Sequence, residues 1–283
     1  FLARGGSPAQ VMNQGEIKTT FGGRVWLIGE QVRNEGLIQT PGGNIVLAAG
    51  KSLELIDSGA PNVIVRVTAP DNEVANLGSL VAASGGNIDV YGSIVNQQGI
   101  VRADSVGTDA AGRIVFTASQ ALNLKESSVT SAQGGTIQMT AGMATYLAGM
   151  VDVSQQQGAA GRIQLLTGQM QGTVGGSLRA DGMQGGSISI EGRDTVTFSS
   201  LLSATGSSHG GTIGITGDRV YIFDAAVDAS GGAQGGIVHI GGGWKGGGGL
   251  PHARNVFIGS GSEIKANGSL ANKIGSASGR ERV

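Results

Sequence analysis

The chain contains no cysteine. That excludes a disulfide scaffold, a thiol nucleophile and a thiolate metal site. It has five prolines and no Gly-X-Y period, which excludes collagen despite 53 glycines in 283 residues. Charged residues make up only 14%, with 19 basic against 20 acidic for a net charge of −1. No basic stripe stands out and aromatics are 4%, so nucleic-acid binding has no electrostatic footprint. A hydrophobic content of 39% with so little charge argues against disorder. No apolar run approaches membrane-spanning length, so the chain is expected not to be membrane-embedded. Its first residues, Phe1-Leu2-Ala3-Arg4-Gly5-Gly6, are not a signal peptide; the expectation is a cytosolic protein or a segment of a longer one.

What is present is a repeat. A small-residue step recurs at Gly22-Gly23, Gly42-Gly43, Gly85-Gly86, Ala111-Gly112, Gly134-Gly135, Ala160-Gly161, Gly185-Gly186, Gly210-Gly211 and Gly235-Gly236. The gaps are 20, 43, 26, 23, 26, 25, 25 and 25 residues. A period of this size marks a solenoid, in which each unit packs only on its neighbours. After each step the second and fourth residues are apolar, as in Asn44-Ile45-Val46-Leu47 and Arg162-Ile163-Gln164-Leu165. This period-two alternation predicts a strand with one buried face. It predicts one inward column: Val25, Ile45, Ile88, Ile114, Ile137, Ile163, Ile188, Ile213 and Val238.

A second strand precedes each step. Its apolar place reads Ile17, Ile38, Leu80, Val101, Val129, Val151, Leu178, Leu202, Val227 and Ile264. A third, shorter strand follows, clearest at Ser52-Leu53-Glu54-Leu55, Ala121–Leu124, Asp194–Phe198, Arg219–Phe223 and Asn255–Ile258. The fold class expected is therefore all-β, a parallel β-helix of about three strands per coil and roughly eleven coils. The 43-residue gap is read as holding an extra coil with the strand Val63–Val67. Corners recur at Asn13-Gln14-Gly15, Asn34-Glu35-Gly36, Asp57-Ser58-Gly59 and Asn76-Leu77-Gly78. Asn, Asp and Gly there suit left-handed corner backbone, and stacked Asn amides can bond along the axis. A hairpin meander would instead need Asn-Gly or Asp-Gly turns between strands.

Taken together these residues resemble the repeat region of filamentous-haemagglutinin-type exoproteins of two-partner secretion. The likeness lies in Asn13–Ile17 through Gly22–Ile28, in Asn34–Ile38, and in Pro41-Gly42-Gly43-Asn44-Ile45-Val46-Leu47-Ala48-Ala49-Gly50. It also lies in Val67-Thr68-Ala69-Pro70 and in Gly246–Pro251 before Val256-Phe257-Ile258, and covers roughly residues 10–268. The resemblance implies a right-handed parallel β-helix. It implies export across the outer membrane of a Gram-negative bacterium through a partner transporter barrel, and a role as adhesin or as stalk for a distal domain. The absence of cysteine fits such export, because a periplasmic disulfide would block threading. The chain reads as an interior segment: residues 1–268 form one repeat domain with a Gly-rich insertion at 241–253, followed by an irregular tail at 269–283. Transporter recognition transfers to no residue here.

Candidate chemistry is sparse. Gly241-Gly242-Gly243-Trp244-Lys245-Gly246 satisfies G-x-G-x-x-G, but Gly247-Gly248-Gly249-Leu250-Pro251 cannot open the helix a pyrophosphate needs. No cofactor is expected. His209, His239 and His252 lack metal-ligand spacing, so no metal is expected. Asp152 and Asp228 hold equivalent places three coils apart, about 14 Å, too far for paired carboxylate catalysis. Asp152 beside Arg179, and Asp228 beside Lys265, read as alternating charge on a solvated face. No catalytic residue is expected. Trp26, Val46 and Val115 put apolar side chains at the outward place after the step, a candidate partner contact. The expected function is a structural or adhesive stalk segment with an unidentified host or neighbour-cell receptor or glycan, and with end-to-end self-association through open strand edges. The alternative is a carbohydrate-binding or carbohydrate-cleaving β-helix.

Overall fold

The computed structural model describes residues 9–50, 53–57, 63–67, 72–105, 111–173, 175–243, 251–269 and 276–279. Every regular element among them is a β-strand. The strands wind into a parallel β-solenoid. A 10-stranded sheet takes one short strand from each rung, from Glu16–Lys18 to Glu263–Lys265, in chain order. A 16-stranded sheet covers the other two faces: the step face and, after a bend, the third face. In four central rungs these two faces run as one bent strand, Asn87–Gln97, Arg113–Leu124, Thr136–Leu147 and Arg162–Gly172. A 3-stranded sheet, Gln155–Ala159, Gly182–Gln184 and Gly206–His209, adds a minor face in the C-terminal half. The count of strands per rung therefore varies around the expected three.

The inward column of the step face stacks in the predicted register. Val25 pairs with Ile45, Ile45 with Ile88, and so on through Ile114, Ile137, Ile163, Ile188, Ile213 and Val238. All are buried. Each such side chain contributes about 1.5–3 kcal/mol on leaving water. The short face packs a second column against it, Ile38, Leu80 and Val101 through Val227. One member differs from the expectation. The register places Thr130, not Val129, between Val101 and Val151. Thr130 is fully buried and Val129 is not.

The extra coil expected in the 43-residue gap is absent among the described residues. Asn44 of one rung pairs directly with Asn87 of the next. The intervening strands Leu53–Asp57 and Val63–Val67 pair antiparallel, as a hairpin on the solenoid. The third strand of that rung is Glu73–Asn76, not the expected Ser52–Leu55, of which Ser52 lies outside the described residues. Among the described residues the 10-stranded sheet thus stacks ten short strands, fewer than the roughly eleven coils expected, over roughly 45 Å at about 4.8 Å each. Apolar alternation marks a strand but not the direction of its partner, which is why the hairpin read as a coil. The tail expected to be irregular carries Ser276–Gly279, paired parallel with Ile237–Ile240. Residues 58–59, 68–70, 244–250 and, in the tail, 270–275 and 280–283 lie outside the described residues.

The step glycines have a steric cause. The backbone N–H after each step donates to the carbonyl of the glycine one rung below: Asn44 to Gly23 at 3.0 Å, Arg162 to Gly135 at 2.8 Å, Ser187 to Gly161 at 3.1 Å. At Gly43, Gly135, Gly161, Gly186, Gly211 and Gly236 that carbonyl occupies the space a Cβ would need. The first glycine supplies the turn, with φ of 58° at Gly42 and 63° at Gly134. The corner glycines Gly36, Gly78 and Gly99 are also held small by a carbonyl one rung below, rather than by left-handed backbone. Beside them runs a buried amide ladder. Asn13 donates to Asn34, Asn34 to Asn76 and Asn76 to Gln97, each at 2.8 Å. It passes over the expected Asp57, which belongs to the hairpin.

Candidate functional site

The outward register of the step face runs Trp26, Val46, Asp89, Val115, Gln138 and Gln164. Trp26 is 39% exposed, whereas Val46 and Val115 are only 3% and 8% exposed. Val46 and Ala48 form a small cluster on the outside of the sheet, with Ile28 and Tyr91 packed against it. The hairpin strand Val63–Val67 lies against these same rungs, Asn44–Ala49 and Asn87–Gln97. The apolar strip is therefore covered along its middle by its own chain and open at Trp26.

Sequence reasoning passed over Asp89, which sits between Val46 and Val115 and is itself buried. A lone acid in an apolar strip was the available signal. Burial pushes its carboxyl up, against the opposing pull of the Arg113 guanidinium at 3.0 Å. Burial, then the neighbouring Asp89 charge, pushes the Tyr91 phenol up to about 12.

Four other acids, Asp104, Asp152, Asp181 and Asp228, hold backbone. Asp152 and Asp228 share the register Asp152, Arg179, Ser203, Asp228, Lys265, as expected. Among the described residues no ion pair joins Asp152 to Arg179 or Asp228 to Lys265. Asp152 accepts from the Ser154 N–H at 2.8 Å, Asp228 from the Ser230 N–H at 2.8 Å, and Lys265 pairs with Glu263 at 2.7 Å. Asp181 accepts from Ser203 Oγ, Thr205 N–H and Thr205 Oγ1, and Asp104 accepts from Ser131 Oγ and Gln133 N–H. Where the minor face begins, a polar notch of about 890 Å³ is lined by Gln133, Asp152, Gln155, Gln157, Asp181 and Ser207. Its two carboxylates, Asp152 and Asp181, each accept from a backbone N–H.

His209 Nδ1 meets Ser208 Oγ at 2.9 Å on the minor face, while His239 lies on the step face in register with Gly214. His252 packs beside Gly242. Among the described residues no three metal-ligating side chains converge. The Gly-rich motif lies mostly at 244–250, outside the described residues.

The third face carries a further row that sequence reading missed. Asn123, Tyr146, Gln171, Thr197, Tyr221 and Phe257 occupy one outward register. They are separated by more than 20 residues in sequence, so only the stacking brings them together.

No family model and no curated protein matches the sequence. Among solved structures the chain is similar to the secretion domain of HMW1 from Haemophilus influenzae, with a TM-score of 0.62 and 25% identity. The match covers 94% of this chain and 67% of that one. In sequence and in fold, the chain resembles the exoproteins of two-partner secretion.

Proposed function

We propose that the chain is a structural and adhesive stalk segment of a large secreted bacterial surface protein, exported by two-partner secretion through an outer-membrane transporter. The observation that carries this reading is the likeness to a secretion domain across 94% of the chain. The physical design supports it: parallel rungs propagate along one axis, and each exposes an edge on which the next is built. We take the winding to be right-handed, as parallel crossovers in one sheet nearly always are. Trp26, the open end of the apolar strip, is the contact we assign to a partner. The rungs at either end are the surfaces for end-to-end association.

A second reading is favoured by the name of the neighbour. In it, this chain carries the transporter-recognition role itself. One experiment addresses both. The chain, fused behind an export signal and ahead of a reporter, is expressed with and without a two-partner transporter. Transporter-dependent reporter at the cell surface is the expected result. Surface delivery without the transporter overturns the export route. Periplasmic retention with it overturns the recognition role.

A further inference from the structure

The outward row on the third face is more than a solvated surface. Parallel pairing sets Asn123, Tyr146, Gln171, Thr197, Tyr221 and Phe257 one strand spacing apart, so the row spans about 24 Å. In the neighbouring outward register Ala144 lies between Ala121 and Gln169. Its small side chain leaves a trough of about 300 Å³ walled by Asn123, Tyr146, Gln171 and Thr197. No charged side chain lines that trough. The Gln171 and Thr197 side chains make no hydrogen bond to other described residues, so their polar groups are available to a ligand. The Lys125 ammonium lies 5.7 Å from the Tyr146 ring centroid and helps to hold the ring in place.

Beyond Thr197 the strip becomes aromatic. Tyr221 stacks with Phe223 at 6.4 Å between ring centroids, and Phe223 meets Phe257 at 5.4 Å. Phe223 is 40% and Phe257 50% exposed. A chain with 4% aromatics thus spends four of them on one strip.

We propose that this strip binds a neutral, extended oligosaccharide with about one sugar ring per rung. Amides and hydroxyls both donate and accept, which matches the vicinal hydroxyls of a pyranose. Aromatic rings offer apolar faces to the C–H side of the sugar. The absence of charge in the trough selects a neutral chain over a uronate or sulfated one. A flat β-linked pyranose chain repeats at close to the strand spacing, so its register can follow the rungs. A peptide added as a strand is disfavoured, because Thr136–Leu147 and Arg162–Gly172 are paired on both sides and offer no free edge. This goes beyond the stalk reading, since a spacer needs no such row, and its test does not involve export.

The test is calorimetric titration of the whole chain with cello-, manno- and chito-oligosaccharides, from disaccharide to hexasaccharide. At least one series is expected to bind, with affinity rising with chain length. Tyr146→Ala and Gln171→Ala are each expected to weaken binding on the order of tenfold. Both positions point outward, so circular dichroism and melting should match the parent. Oligogalacturonate, the charged comparator, should bind more weakly than the best neutral series. The proposal is overturned if none of the neutral series binds, if binding survives both substitutions, or if the charged chain binds best. It is also overturned if Tyr221→Ser abolishes self-association of the chain and leaves sugar binding unchanged.

Discussion

Thr130 occupies an inward position whose mates on the adjacent rungs are Val101 and Val151. It is fully buried, and its Oγ1 has no hydrogen-bond partner. An unmet buried hydroxyl costs about 1–3 kcal/mol. Valine has the same branched shape and replaces that hydroxyl with a methyl group, so Thr130→Val should remove most of the cost without opening a cavity. A gain of about 1–2 kcal/mol is expected. For a chain of this size that corresponds to a rise in Tm of roughly 2–6 °C. Differential scanning calorimetry of the purified chain measures it. The mirror substitution, Val151→Thr one rung on, should lower Tm by a similar amount. Were Thr130→Val to melt at or below the parent while Val129→Thr was strongly destabilising, the stack would run through Val129 and the register argued above would be wrong.

Four further outcomes follow from the same stack. Gly161→Ala puts a Cβ onto the carbonyl oxygen of Gly135, and should destabilise by about 2 kcal/mol or more in a thermal melt; Gly214→Ala, whose Cβ meets nothing, should be neutral or stabilising by up to about 1 kcal/mol. Ile163→Asp buries a charge at a fully enclosed site, and hydrogen exchange should show loss of protection centred on its two neighbouring rungs; unchanged protection would place Ile163 outside the core. The raised folded-state pKa of Asp89 means that the folded chain keeps its proton where the unfolded chain has lost it. Stability therefore falls as pH rises from the ordinary carboxylate value to the raised one, and stays lower above it. Asp89→Asn should melt above the parent near neutral pH, with the gap closing on acidification, since Arg113 is 37% exposed and regains water; a gap independent of pH would contradict this. Light scattering should show association growing with concentration, and a sharp monomer at every concentration would count against open terminal rungs.

The step column was legible because stacking imposes one demand on every rung. The second step residue has little room for a Cβ, and the second residue after it must be able to point inward. Such a demand writes itself into the chain at a fixed phase. The hairpin obeys no such demand, and Leu53–Asp57 and Val63–Val67 alternate like any rung strand. The irregular corner spacing around Asp57 was the trace it left. Thr130 was misassigned because Val129 is the more apolar neighbour. The fuller pattern would have corrected it: the inward residue of the short face stands two before a buried alanine in Leu80–Ala82, Val101–Ala103, Leu178–Ala180 and Leu202–Ala204, and Ala132 stands two after Thr130. The Asn123–Phe257 row was invisible for a different reason. Its outward positions are free to vary from rung to rung, so no periodic signal exists until the register is known.

The central claim is that successive steps stack in register as parallel rungs. A chain without cysteine lends itself to paired spin labels. With one label at Gln138, the second is placed in turn at Gln164, Ser189 and Gly214, each the next outward partner in the register. The parallel solenoid predicts a label separation that grows evenly, by about 4.8 Å for each rung. A separation that fails to grow with rung number, or that grows unevenly as strands reverse direction, would contradict the solenoid and with it the likeness to a secretion domain.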